Sequence, residues 1–266
     1  MDKTTIIAFA TKLAQNSPLN NVSPEAALKP DYAGMRIFDL PIFAFGCPDD
    51  ELFNKFKSPE IIGGHFRRPR EWLPSVKTVI SFFLPYCERI RTANSQDYLW
   101  PAEEWLHGRI EGQLLVKEIS EQIQKILIDA GYESLVPLLD PRLENQNGED
   151  KFTSNWSERH VAFVCGLGTF GLSKGLITEK GICGRFGSVL TAADLPKDVR
   201  SYKDTYEYCT MCGECIPHCP SGSISLDKGK DNALCSAFLG KTMQKYSPRY
   251  GCGKCQVNVP CETGIP

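Results

Sequence analysis

Apolar residues at Ile6, Phe9, Ala10 and Leu13, with Lys12 on the opposite side, predict an amphipathic helix over residues 1–14. Residues 16–30 are rich in Pro and Asn and read as loop and turn. Residues 35–45 alternate enough apolar positions for a strand. Residues 76–84 are β-branched and aromatic, are closed by Pro85, and predict a buried strand. Over residues 111–130, Leu115, Ile119, Ile123, Ile126, Leu127 and Ala130 form one apolar stripe with Gly131 as its stop, so this is the clearest helix. A strand over 135–139 follows, and the alternation of strand, helix and strand implies an α/β or α+β layer. Asn155, with Glu158 three residues on, predicts an N-cap opening a short helix through Ala162 and Cys165. Its end runs into Gly166-Leu167-Gly168-Thr169-Phe170-Gly171. A second glycine-rich piece, residues 181–188, reads as a loop leading to a strand at 189–191.

Length and charge narrow this picture. A chain of 266 residues suggests a main domain and a smaller appended one, here 1–200 and 201–266. A net charge of -2 argues against wholesale wrapping of nucleic acid. The basic stretch Arg67-Arg68-Pro69-Arg70 reads either as a solvated loop or as a phosphate or carboxylate contact. With no long apolar run and an N-terminal helix of docking type, the expectation is a soluble cytoplasmic protein without membrane association.

Chemistry enters with Cys209, Cys212, Cys215 and Cys219-Pro220. This is the C-x2-C-x2-C-x3-C-P run of two-cluster ferredoxins, whose fourth cysteine ligates the other cluster. The rest of the chain must then supply one ligand for the first cluster and three for the second. Four cysteines follow: Cys235, Cys252, Cys255 and Cys261. Zinc ligation and disulfide pairing are the competing readings, and the run ending in Cys-Pro disfavours both. Of the remaining Cys47, Cys87, Cys165 and Cys183, free cysteines are usually small buried hydrophobes. Cys183 stands out beside Arg185, where a thiolate could be stabilised.

Residues 166–171 match G-x-G-x-x-G literally, but a dinucleotide fingerprint leaves a strand and opens a helix, whereas this one leaves a helix. A glycine-rich turn that lets backbone approach a partner closely is the favoured reading.

The succession Glu158-Arg159, Gly166-Leu167-Gly168, Gly187-Ser188-Val189-Leu190-Thr191, the cysteine run and its tail resembles epoxyqueuosine reductases and, more distantly, reductive dehalogenases. Arg70, residues 73–80, Leu84-Pro85-Tyr86 and Asp97-Tyr98 look like the same family's N-terminal landmarks, so the resemblance spans about residues 67–266. It implies an α+β protein: a cobalamin-binding α/β domain of nitroreductase-like type, then a ferredoxin-like domain with two 4Fe-4S clusters. Cys209, Cys212, Cys215 and Cys261 would hold the cluster nearer the corrinoid, and Cys219, Cys235, Cys252 and Cys255 the other.

Three departures from the family stand out. Its proton-donating aspartate falls on Phe152, with Asp150 out of register. Five residues, not three, separate Cys255 from Cys261. The chain stops at Pro266, where tRNA-acting relatives continue, which disfavours tRNA as substrate.

The implied enzyme is an oxidoreductase. A donor such as ferredoxin or flavodoxin feeds the clusters, and electrons reach cobalt held against Gly166, Gly168, Gly171, Gly184, Arg185, Gly187 and Ser188. Tyr98, Glu158, Arg159 and His160 are the candidates for handling protons and anions on an unidentified substrate. Two alternatives are a corrinoid-free electron-transfer protein and a reductive activator of another corrinoid protein. A respiratory dehalogenase is disfavoured because no export signal is evident.

Overall fold

The computed structural model describes residues 1–147 and 152–266. Helix α1 (Lys3–Asn16) is capped by the Asp2 carboxylate, which accepts from Thr5 N–H, and it buries Ile6, Ala10 and Ala14. Strand β1 (Ile42–Gly46) is shorter than the alternation suggested, because residues 36 and 38 make only isolated bridges. Strand β2 (Thr78–Pro85) is buried along its whole length. Helix α2 (Glu88–Ser95) is followed by the long helix α3 (Glu103–Asp129), which begins eight residues before the predicted start. Strand β3 (Ser134–Leu135) is brief and gives way to a 3₁₀ turn at Pro137–Leu139. Helix α4 (Glu158–Cys165) is entered from Ser157 rather than Asn155, whose amide instead donates to the Arg142 carbonyl. Strands β4 (Gly168–Phe170) and β5 (Leu176–Thr178) pair as a small hairpin.

Strand β6 (Gly184–Thr191) completes the main sheet, whose order is β1-β2-β6-β3 with every pairing antiparallel. Ile80, Phe82 and Leu84 of β2 join one core with Leu115, Ile119, Ile123 and Leu127 of α3. Val79 and Phe83 join the other with Val161, Ala162 and Cys165 of α4. Because side chains alternate faces along a strand, a sheet covered on both sides must be apolar at consecutive positions. That is why residues 76–84 read as a continuous run. The fold is α+β.

The basic stretch makes carboxylate contacts within the chain: Arg70 pairs with Asp49 and Arg68 with Glu71.

Beyond residue 200, the largest element is helix α5 (Asn232–Tyr246), N-capped by Asp231. The tail after it is fixed to α3. Arg249 donates twice to the Glu111 carboxylate, at 2.6 Å each, and once to the Ala26 carbonyl. Glu111 also meets buried His107 at 3.0 Å, and His107 Nε2 accepts from Leu28 N–H. His107 is therefore a neutral ring donating through Nδ1 to Glu111. Burial opposes ionisation of Glu111, but His107 and Arg249 outweigh it, and the carboxyl lies below its ordinary range. Its contribution is full above that range and is lost as acid protonates it. Glu111→Ala, which leaves Arg249 without its counter-ion, is expected to cost about 3 kcal/mol near neutral pH. Urea unfolding of the two proteins at neutral and acidic pH checks both the loss and its disappearance in acid.

Candidate functional site

The cysteine run forms a loop rather than a helix or strand. Met211 (φ 52) and Gly213 (φ 81) adopt left-handed backbone within it. Such alternation turns successive N–H groups toward one concavity, the geometry that receives anions and iron–sulfur clusters. Gly213 carries φ 81 without strain, as only glycine does. His218 Nδ1 contacts the Val257 carbonyl at 3.1 Å, so the run and the tail are in register.

Eight thiols fall into two electrostatic neighbourhoods. Cys261 is pushed up to about 12, first by burial and then by Cys209, Cys215 and Cys212. Cys252 is pushed up to about 12 by burial and then by Cys255, Cys235 and Cys219. Cys215 also senses Cys255, so the two sets are neighbours. All twelve cysteines are free thiols, and Cys212 is exposed. Among the described residues no three His, Cys, Asp or Glu side chains converge as a single metal ion requires. A cubane spreads its thiolates over four separate irons, so it asks for wider spacing.

A cavity of about 330 Å³ is lined by Cys219, Cys235, Cys252 and Cys255 together with Arg109, Arg159, Arg185 and Lys230. A second, of about 760 Å³, is lined by Phe56, His160, Phe163, Phe170, Tyr206 and the lysines 55, 174 and 203. Arg159, Lys230 and Asn232 border both. Arg159 donates to the Lys174 carbonyl at 2.7 Å, and its pKa is lowered by burial, against the opposing pull of Cys255 and Cys235. Arg159 thus borders the cavity of the Cys219 set.

The other predicted residues separate into groups. Glu158, Arg159 and His160 are together on α4. The Glu158 oxygens are buried and, among the described residues, meet no hydrogen-bond partner. The nearby Trp156 indole donates to Ser188 Oγ at 3.0 Å instead. Burial pushes Glu158 up to about 7. His160 contacts Ser157 Oγ at 2.8 Å and lies edge-on to Phe56; burial, then the Arg159 charge, push it down to about 3, so it stays neutral. Tyr98 is not brought to this site. It is 76% exposed and lies near His218 and Lys254. Cys183 is corrected too: it is buried, donates to the Gln256 carbonyl at 2.8 Å, and burial raises its pKa. Arg185 turns away to donate to Gln113 Oε1.

The glycine-rich pieces are mostly strand, not loop. Gly166 ends α4 at φ 106, while Gly168 lies in β4 and Gly184, Gly187 and Ser188 in β6. A Cβ at Gly168 would stand 1.9 Å from the Ile177 carbonyl oxygen, and one at Gly187 would stand 2.4 Å from the Phe82 ring. Gly171 packs on Ile177, and Gly184 on the Leu84 carbonyl. The partner these glycines approach is the chain itself. Phe152 lies in a short strand, Phe152–Ser154, and Asp150 falls outside the described residues. Arg109 and Lys230 escaped sequence reading. No local pattern marks them, since only folding brings them to the thiols.

Fold and thiols together define a class: an α+β protein with a 4Fe-4S binding segment near its C-terminus. Residues 202–225 match the family described as 4Fe-4S binding domain. The chain is similar to the epoxyqueuosine reductase of Bacillus cereus, at 26% identity over 212 residues, covering 74% of this chain and 51% of the relative. A Listeria monocytogenes epoxyqueuosine reductase is 31% identical over 124 residues, covering 42% of this chain and 31% of the relative. The chain thus spans about half the length, or less, of these curated relatives. In fold it resembles a crystal structure of selenomethionine-labelled epoxyqueuosine reductase (TM-score 0.58, 17% identity, 99% of this chain and 66% of that one). It also resembles a catabolic reductive dehalogenase (TM-score 0.58, 13% identity, 98% and 36%). Another epoxyqueuosine reductase similar in fold was solved with a modified tRNA stem loop. No helix is long and apolar enough to cross a membrane among the described residues.

The buried Glu158 carboxyl carries a pH signature. Its folded pKa of about 7 exceeds the ordinary 4.5, so the native state holds the proton longer and stability falls as pH rises through that window. Glu158→Gln removes this cost, which at about 1.4 kcal/mol per unit is of the order of 3 kcal/mol. Urea unfolding across pH is expected to show the variant matching wild type in acid, gaining on it between about pH 4.5 and 7, and holding that advantage above.

Proposed function

We propose that the chain is an iron–sulfur oxidoreductase in which Cys209, Cys212, Cys215 and Cys261 hold one 4Fe-4S cluster and Cys219, Cys235, Cys252 and Cys255 hold a second. The observation that carries this is the partition of eight thiols into two neighbouring sets, each drawing on both the run and the tail. Residues 201–266 form the cluster module, and residues 1–200 the body on which it docks. Bound clusters supply one-electron steps at low potential, and a bound corrinoid would supply a strongly nucleophilic metal centre. Exposed Cys212 marks the face for an external donor such as ferredoxin or flavodoxin, and the Cys219 set faces the Arg159 cavity. Free thiols throughout suit a reducing cytoplasm.

The corrinoid, and a small organic substrate with it, is assigned to the 760 Å³ cavity, where Phe56 and Phe170 offer flat apolar walls and Lys174 and Lys203 offer anion contacts. Glu158 lies behind Arg159 and holds a proton up to about pH 7. Net charge of -2 gives no electrostatic footprint for tRNA. A second reading, a corrinoid-free electron-transfer protein, is favoured by one observation: the spaces beside Gly168, Gly184 and Gly187 are filled by the chain itself, leaving no glycine cradle.

Anaerobic reconstitution with iron, sulfide and cobalamin separates these readings. About eight irons per chain are expected, falling to about four in Cys219→Ser, and about four in the wild type overturns the two-cluster assignment. Corrinoid absorbance that survives gel filtration supports the first reading, and eight irons without it supports the second.

A further inference from the structure

The cavity of the Cys219 set has an unusual charge balance. Arg109, Arg159, Arg185 and Lys230 line it, and among the described residues no aspartate or glutamate does. Among the described residues none of the four is ion-paired with a carboxylate. Arg159 and Arg185 are held by neutral oxygens, of the Lys174 carbonyl and the Gln113 amide. Arg109 stacks on Tyr250, 4.2 Å from the ring centroid, and among the described residues its buried Nε meets no hydrogen-bond partner. Four cations gathered in a partly enclosed space repel one another, and unbonded guanidinium nitrogen is costly. Such an arrangement persists when something anionic occupies its centre. The surroundings of the Cys209 set differ: Glu214 precedes Cys215, Glu262 follows Cys261, and the nearby Arg91 is spent on Glu262 at 3.2 Å.

We propose that Arg109, Arg159, Arg185 and Lys230 form a cationic collar that stabilises the reduced state of the cluster on the Cys219 set, making it the electron sink of the pair. The inference rests on the two-cluster reading above. A thiolate-ligated cluster is anionic and gains one further negative charge on reduction, so adjacent cations favour its reduced form. One electron leaves the reduced cluster on the Cys209 set and is taken up by the one on the Cys219 set; no proton or other atom moves. The collar thereby gives the transfer its direction, from the exposed Cys212 face inward to the Arg159 cavity.

The test is an EPR-monitored redox titration of the anaerobically reconstituted full chain. Cys235→Ser first identifies which signal belongs to the Cys219 set. Wild type is expected to reduce that cluster at the higher potential. Arg109→Gln and, independently, Lys230→Met are expected to lower its midpoint so that its reduced-to-oxidised ratio at a fixed donor potential falls about tenfold, or about 59 mV for a one-electron couple. The other signal stays in place, and Arg109→Lys, which keeps the charge, restores the midpoint. The collar is overturned if both charge-removing variants retain about eight irons and titrate as wild type, or if the Cys209-set cluster is the one reduced first. About four irons in the wild type overturns the two-cluster reading itself, and is read from the iron assay before any titration.

Discussion

In the proposed two-cluster arrangement, ligands spread from residue 209 to residue 261 require the tail to be held in place, and the anchor is Glu111 on α3. One carboxylate receives Arg249 twice and His107 once, and His107 is in turn fixed by the Leu28 amide. Three distant segments of chain therefore meet at one buried group. The same side of the body repeats the arrangement on a smaller scale. Asn94 donates to the Cys252 carbonyl, the Lys254 ammonium donates to the Asn94 carbonyl, and the Ile182 amide donates to the Cys261 carbonyl. Backbone groups of Cys252 and Cys261 are thus bound by the body itself. The cysteine loops need not store their own rigidity, which a loop of their length with little regular structure could not supply.

This docking explains which parts of the site could be seen in the sequence. Spacing is a local property, so the Cys209–Cys219 run and its demand for four more thiols were legible without any fold. The buried strand β2 was legible for a similar reason, since covering both faces of the sheet leaves an unbroken apolar run. Helix α3 was legible only from residue 111 onward. Its first turns hold His107, Gly108 and Gly112, which interrupt the apolar stripe, yet all three are buried because the rings of Tyr86 and Phe38 pack onto the two glycines. Gly184 and Gly187 misled in the opposite direction. Glycine in a string suggests a loop, whereas here strand β6 needs small residues so that Leu84 and Phe82 of its neighbour can close in.

Polar chemistry was legible in composition but not in place. Glu158, Arg159 and His160 are consecutive, so the helix fans them in different directions: a carboxyl into the core, a guanidinium into the cavity, and an imidazole among aromatic rings. Tyr98 shared a sequence landmark with the family but not a location with these three. Arg109 and Lys230 carried no landmark and yet face the thiols. A residue's distance from a site along the chain says nothing about its distance in space once folding brings Arg109 of helix α3 and Lys230 to one cavity.

In the proposed arrangement, the cluster on the Cys219 set balances the charges around Arg159. Arg159 stands at the exposed rim of the cavity beside Arg185 and Lys230, with Glu158 turned away and protonated up to about pH 7 rather than serving as counter-ion. A carboxylate left ionised at that position would neutralise the guanidinium and weaken its field at the thiols. Burial, against the weaker downward pull of Ser188 and Trp156, keeps Glu158 neutral up to about pH 7 and preserves that field. Under the two-cluster proposal, the Glu158 carboxyl and the cations without a carboxylate partner among the described residues are two sides of one arrangement, in which positive charge is reserved for the cluster on the Cys219 set.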